Sequence, residues 1–100
     1  MPYQYINVET EGNLFVLTID RPDVMNAISP AASYEMAEAL DRFEADDSLW
    51  VGIITGSGSD AFCAGGDISV MAAAKTNEDY QMPPSGYGGM TNRTSCNKPI

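Results

Sequence analysis

The chain has 100 residues, is 44% apolar, and carries 14 acidic against five basic residues for a formal net charge of −9. One small domain, or part of a larger one, fits that length, and the apolar share is that of a globular chain rather than a disordered one. The acidic balance argues against a nucleic-acid partner, and no apolar run approaches the ~20 residues that span a bilayer, so no membrane partner is expected.

Met1-Pro2-Tyr3-Gln4-Tyr5 lacks the basic and apolar regions of a signal peptide, which makes cytoplasm, or an equally reducing compartment, the expected location. Residues 3–8 are rich in aromatic and β-branched types and predict a strand. Glu11-Gly12-Asn13 is a turn signal. Leu14 to Ile19 is a near-continuous apolar run, too short for a helix, and predicts a strand buried on both faces that pairs with the first as a hairpin. Asp20-Arg21-Pro22-Asp23 ends it, because proline cannot donate to a central ladder. Ser29-Pro30 then opens a helix, with serine as cap and proline at the first helical position. Ala32, Met36, Ala39, Leu40 and Phe43 share one face of that helix, and Glu35, Glu38, Asp41 and Arg42 the other.

Leu49 to Thr55 predicts the next strand, apolar enough to be central, with the helix as a crossover joining parallel neighbours. A second helix is expected from Asp67 to about Lys75, with Asp67 as its cap. Thr76 to Asn97 has little periodicity and reads as a long loop containing a helical turn near Met90. Pro99 and Ile100 look like the entry to a further strand. The predicted order is β-β-α-β-α followed by a long loop, an α/β arrangement.

Chemistry concentrates between the last predicted strand and the second helix. Four glycines fall in the 12 positions from Gly56 to Asp67, and such a bare main chain suits ligands held by backbone N–H groups. Gly56-Ser57-Gly58-Ser59-Asp60-Ala61 imitates a dinucleotide fingerprint, with Glu78 and Asp79 about 20 residues on. Its context is wrong, because Ala61-Phe62-Cys63-Ala64-Gly65-Gly66 follows where a helix should start. The second pair, Gly65-Gly66, precedes the Asp67 helix. A backbone N–H there could stabilise an oxygen that gains negative charge. A tight strand-to-helix connection needing glycine dihedrals is the structural alternative. Histidine is absent, and Cys63 and Cys96 lack metal-ligand spacing, so no Cys/His zinc site and no Ser-His or Cys-His pair is expected. Cys63 reads as a small buried residue, and Glu78 and Asp79 as solvated loop acids.

Three segments, in order, resemble the enoyl-CoA hydratase/isomerase (crotonase) superfamily. Thr18-Ile19-Asp20-Arg21-Pro22-Asp23-Val24-Met25-Asn26-Ala27-Ile28 is similar to its N-R-P-x-x-x-N-A-(L/I) segment. Ile53-Ile54-Thr55-Gly56, followed by Ala61-Phe62-Cys63-Ala64-Gly65-Gly66-Asp67-Ile68, is similar to its (V/I)-T-G…A-F-(C/S)-A-G-x-D-(I/L) signature. Asn97-Lys98-Pro99-Ile100 resembles the K-P-(V/I) that leads into its next strand.

The resemblance implies the N-terminal portion of a crotonase-like ββα spiral fold, over residues 1–100. It also implies an acyl-CoA substrate, coenzyme A entering as part of that substrate, and no separate cofactor. The implied reaction is addition of water to an enoyl-CoA, or its removal, in fatty acid metabolism. Enoyl-CoA isomerase, carnitinyl-CoA dehydratase, CoA-thioester hydrolase or a non-catalytic binding fragment are the alternatives.

By position, Gly66 would supply one N–H of an oxyanion hole. Ala64 and Gly65 would approach coenzyme A, with the Ala64 main chain at its adenine. Asp67 and Ile68 would begin the helix behind the thioester, and Val24 would border the entry groove. Asn26 would brace the loop and Arg21 would be structural. The family's second donor, in an N-G-x-x-x-G-G-G segment, and its acid–base glutamates would lie past Ile100. The resemblance therefore implies an incomplete site in a truncated chain, and a trimer or hexamer at full length.

Overall fold

The computed structural model describes residues 3–73 and 81–100. The predicted elements appear in the predicted order. Strand β1 (Ile6–Glu11) and strand β2 (Leu14–Ile19) form an antiparallel hairpin with Ile6 opposite Ile19 and Glu11 opposite Leu14. The first strand therefore lies a few residues later than its composition suggested. Gly12, at φ +59°, takes the left-handed first place of the two-residue turn. Helix α1 (Pro30–Ala45) crosses over to strand β3 (Val51–Gly56), which runs parallel to β2 with Val51 opposite Leu14. Helix α2 (Ile68–Ala73) follows the glycine-rich segment, and a short 3-10 turn at Tyr87–Gly89 is the helical turn expected near Met90. The second helix's expected end at Lys75, the first part of the long loop, and Glu78 and Asp79 lie outside the described residues.

Local chemistry explains α1. The Ser29 hydroxyl accepts from the Ala32 N–H at 3.1 Å, and Pro30 needs no partner at the first position. At the other end, the Lys98 ammonium donates to the carbonyls of Phe43 and Asp46, both at 2.7 Å, where a helix leaves its last carbonyls unpaired. The next residue's carbonyl, at Pro99, accepts from the Gly52 N–H at 2.9 Å. The Lys98-Pro99-Ile100 segment thus ties the helix end to the open edge of β3.

The core lies between α1 and one face of the sheet. Phe15, Leu17 and Ile19 of β2 are buried against Ala32, Met36, Ala39, Leu40 and Phe43, and the rings of Phe15 and Phe43 stack with centroids 5.0 Å apart. Each large side chain so buried contributes about 2 kcal/mol. The structure corrects two expectations here. Strand β2 is not buried on both faces: Leu14, Val16 and Thr18 are only half-covered. It is β2, not β3, that occupies the centre of the three-stranded sheet. On the second face Val51 and Ile53 are exposed, with Trp50 beside them. An unbroken apolar run records how hydrophobic a strand is, not how many faces are covered.

The helix also has a second buried edge that its main stripe did not announce. Ser33 and Ala37 are covered by the 3-10 turn, where the Gly88 N–H donates to the Ser33 hydroxyl at 3.0 Å. Gly89, at φ +68°, lies so close that a Cβ would sit 2.7 Å from the Ala37 nitrogen. Arg93 closes the contact, with Nη1 2.8 Å from both Asp41 and Glu44 and Nη2 3.2 Å from the Ala37 carbonyl. Gly89→Ala should therefore lower stability by about 1–3 kcal/mol through overpacking and backbone strain. A urea titration would show it, and a midpoint equal to wild type would mean that the turn is not docked on α1.

Candidate functional site

The site is assembled from two strands of loop. Residues 24–28 follow the bend after β2, and residues 64–69 lead into α2. They run side by side as a short parallel bridge: the Ile28 N–H donates to the Gly65 carbonyl at 2.7 Å, and the Asp67 N–H to the Ile28 carbonyl at 3.0 Å. The Ala64 N–H adds a bond to the Met25 carbonyl at 3.0 Å. Between them lies a cleft of about 250 Å³ lined by Val24, Met25, Ala27, Ala64, Gly66, Asp67, Ile68 and Ser69.

A complete account of the backbone donors from Ala64 to Val70 identifies what is free. Ala64 and Asp67 donate across the bridge. The Gly65 N–H reaches the Cys63 sulfur at 3.4 Å, and the Ser69 and Val70 N–H groups are taken by the Asp67 carboxylate. Among the described residues, Gly66 and Ile68 have no acceptor. Both line the cleft. Asp67 thus caps the Ser69 and Val70 donors of the first turn of α2, and two donors stay open, the loop N–H of Gly66 and the N–H of Ile68 at the helix start. Gly65, at φ +94°, has nothing within 4 Å of where a Cβ would be. Glycine is needed there for its dihedral, not for space.

Asp67 is 4% exposed and divides its oxygens between two tasks. Oδ1 accepts from the Ser69 hydroxyl at 2.6 Å and from the Ser69 and Val70 N–H groups, and Oδ2 meets the Arg21 guanidinium at 2.9 Å. The Ser69 hydroxyl, and after it Arg21 and the Val70 N–H, hold the Asp67 carboxyl below the usual carboxylate value, against the opposing effect of burial. Glu44 is lowered too, first by its bond to Arg93 and then by the Ser95 hydroxyl.

A group that binds its proton less readily when folded stabilises the fold above its unfolded pKa and loses that contribution as pH falls through the folded value. Stability should therefore be flat above about pH 5 and decline below about pH 4. Asp67→Asn should flatten this acid limb in urea midpoints measured against pH. An unchanged limb would show that Asp67 does not titrate there.

Asn26 holds the outer wall. It is 1% exposed; its Oδ1 accepts from the Arg21 N–H, and its Nδ2 donates to the carbonyls of Ser57 and Ala61, each at 2.9 Å. Met25 and Asn26 both lie at φ +57°, an unusual pair of left-handed non-glycine residues that turns the chain into the bridge. Gly56 is small for the same reason: a Cβ there would meet the Phe62 carbonyl and lie 2.7 Å from Asn26 Nδ2. The first glycine cluster is therefore a packing and turn feature. It leads into the loop that Asn26 clasps, and α2 begins only at Ile68.

Of the residues that the motif pattern singles out, Val24, Ala64, Gly66, Asp67 and Ile68 line the same cleft, while Gly65, exposed beside them, accepts from the Ile28 N–H through its carbonyl. Met25, Ala27 and Ser69 line the cleft as well and were not singled out. Met25 and Ala27 lie inside the quoted motif, but the lining positions 24, 25 and 27 follow no regular period that would mark them. Among the described residues no group of three or more His, Cys, Asp or Glu side chains could hold a metal ion, and no helix is long and apolar enough to cross a membrane.

The chain is 38% identical to a carnitinyl-CoA dehydratase of Proteus mirabilis over 97% of its own length and 36% of the relative's. It is 35% identical to a carnitinyl-CoA dehydratase of Escherichia coli K12 over 95% of its length and again 36% of that protein. Among solved structures, a carnitinyl-CoA hydratase from Mycobacterium avium superimposes with a TM-score of 0.77 at 35% identity, over 86% of this chain and 33% of that one. An enoyl-CoA hydratase from Mycobacterium tuberculosis gives 0.75 at 32% identity, over 89% and 33%. The chain thus spans about a third of the length of these relatives and has a portion of their crotonase-like α/β fold. The profile of the enoyl-CoA hydratase/isomerase family matches residues 9–100, and the chain belongs to that family.

Proposed function

We propose that this chain forms half of the oxyanion-stabilising wall of an acyl-CoA hydratase or dehydratase, with the Gly66 N–H as its donor. The observation that carries the reading is that N–H: it belongs to a residue that lines the cleft and has no acceptor among the described residues. A thioester carbonyl gains negative charge when it becomes an enolate, and a fixed backbone donor can hold that charge without ionising or reorganising. Coenzyme A would arrive as part of the substrate, with Val24 at the mouth and the main chain at Ala64 and Gly65 along its path, and no separate cofactor would be needed. The names of the relatives, hydratases and dehydratases of CoA esters, favour addition or removal of water over the family's other reactions. At the relatives' full length the protein would assemble as a trimer or hexamer.

The direct test is a crystal structure with a bound acyl-CoA. Its thioester oxygen should lie within hydrogen-bonding distance of the Gly66 nitrogen, and an oxygen placed elsewhere would end the assignment. Turnover gives a separate check. These 100 residues hold no second donor loop of the family type, and among the described residues no glutamate lines the cleft, so the chain by itself should not hydrate crotonyl-CoA. Measurable hydration by the purified chain would show that the site is built differently.

A further inference from the structure

The Gly66 N–H is the last member of a chain of hydrogen bonds that begins at a cation. Arg21 Nη1 donates to the carbonyl of Ala27. That carbonyl belongs to the same peptide unit as the Ile28 N–H, which donates to the Gly65 carbonyl at 2.7 Å. The Gly65 carbonyl belongs in turn to the same peptide unit as the Gly66 N–H. Neither unit is cis. In a planar trans peptide the N–H points opposite to the C=O, so each bond fixes the direction of the next donor.

We propose that Arg21 positions and polarises the Gly66 N–H through these two peptide units. The series runs from guanidinium to the Ala27–Ile28 peptide, to the Gly65–Gly66 peptide, and out into the cleft. This rests on the proposed role of Gly66 and deepens it: the donor's strength is set by a residue that never touches substrate. Hydrogen bonds in series polarise one another, and a charge at the head of the series pulls electron density away from its far end.

Arg21 is well held for this task. Its side chain is 16% exposed, its Nη2 is pinned by Asp67 at 2.9 Å, and its guanidinium lies 5.5 Å from the centre of the Tyr5 ring. The forked guanidinium can serve two acceptors at once, which a lysine ammonium at the same place could do only by giving up that fixed geometry.

Nuclear magnetic resonance on the 100-residue chain tests this. In the wild type, scalar couplings across the hydrogen bonds should link the Ile28 nitrogen to the Gly65 carbonyl carbon and an Arg21 Nη to the Ala27 carbonyl carbon. Arg21→Met should move the amide protons of both Ile28 and Gly66 upfield. Asp67→Asn, which cuts the ion pair but leaves the Ala27 bond, should move them by less than a third as much. Missing couplings in the wild type would overturn the proposal even if Arg21→Met fails to fold. So would an unmoved Gly66 in a folded Arg21→Met, or equal shifts from Asp67→Asn.

Crotonyl-CoA added to a protein of the relatives' full length that carries these residues, as wild type and as Arg21→Met, separates this from the functional reading. A downfield response of Gly66 that shrinks in Arg21→Met supports both. No response in the wild type overturns the role of Gly66 and with it the purpose of the series. A full response that Arg21→Met retains overturns the series alone.

Discussion

Gly66→Pro should lower kcat for enoyl-CoA hydration by about 100- to 1,000-fold, about 3–4 kcal/mol of barrier, in a protein of the relatives' full length that carries these residues. Proline lacks the N–H, and the Gly66 N–H makes no bond within the described fold, so the substitution removes a donor without breaking an internal hydrogen bond. The lost interaction is with charge that develops on the thioester oxygen. The ground-state carbonyl has little of that charge, so KM should change far less than kcat. Gly66→Ala keeps the N–H and is the control. The Ile28 amide, bonded to Gly65, reports whether the bridge survives: its hydrogen exchange should remain slow in both variants. Equal rates for the proline and alanine variants would show that the N–H takes no part in the reaction.

Asn26→Leu should destabilise the chain by about 2–4 kcal/mol. The side chain has nearly the same shape, so the change removes hydrogen bonds without opening a large cavity. What it leaves are the Ser57 and Ala61 carbonyls and the Arg21 N–H, three groups that all point at one amide. A partly buried polar group without a partner costs far more than a made bond returns. The variant should also loosen the loop from Ser57 to Ala61 before the core unfolds. Urea unfolding would give the global loss, and hydrogen exchange its location. A stability within about 0.5 kcal/mol of wild type, the range of ordinary surface changes, would show that water replaces the amide at no cost.

These two residues differ in how far their roles could be read in advance. The motif pattern places both Gly66 and Asn26, and the family resemblance implies chemistry for one and bracing for the other. It does not say why Asn26 braces. The reason is its position at φ +57°, fully buried, between the first bend and the Ser57–Ala61 loop, which are far apart in sequence. Arg21 was still less legible. It reads as a structural cation beside a proline, because its acceptors, Ala27 and Asp67, are defined only once two loops lie side by side.

Sequence by itself determined the order and type of the elements, since hydrophobic period, capping residues and breakers act over a few neighbours. Ser29-Pro30 starts the helix, Gly12 allows the hairpin turn, and the stripe from Ala32 to Phe43 faces the sheet. The absence of histidine and the cluster of glycines also pointed to backbone donors, which is the reading proposed above for Gly66.

Only the tertiary structure decided how many faces of β2 are covered, which edge of α1 lies under the 3-10 turn, and which N–H of the glycine-rich segment is left open. Each of those depends on what packs against a residue from a distant part of the chain. The open donors at Gly66 and Ile68 are what remain after Ala64, Gly65, Asp67, Ser69 and Val70 have found their partners, and no local pattern can carry out that subtraction.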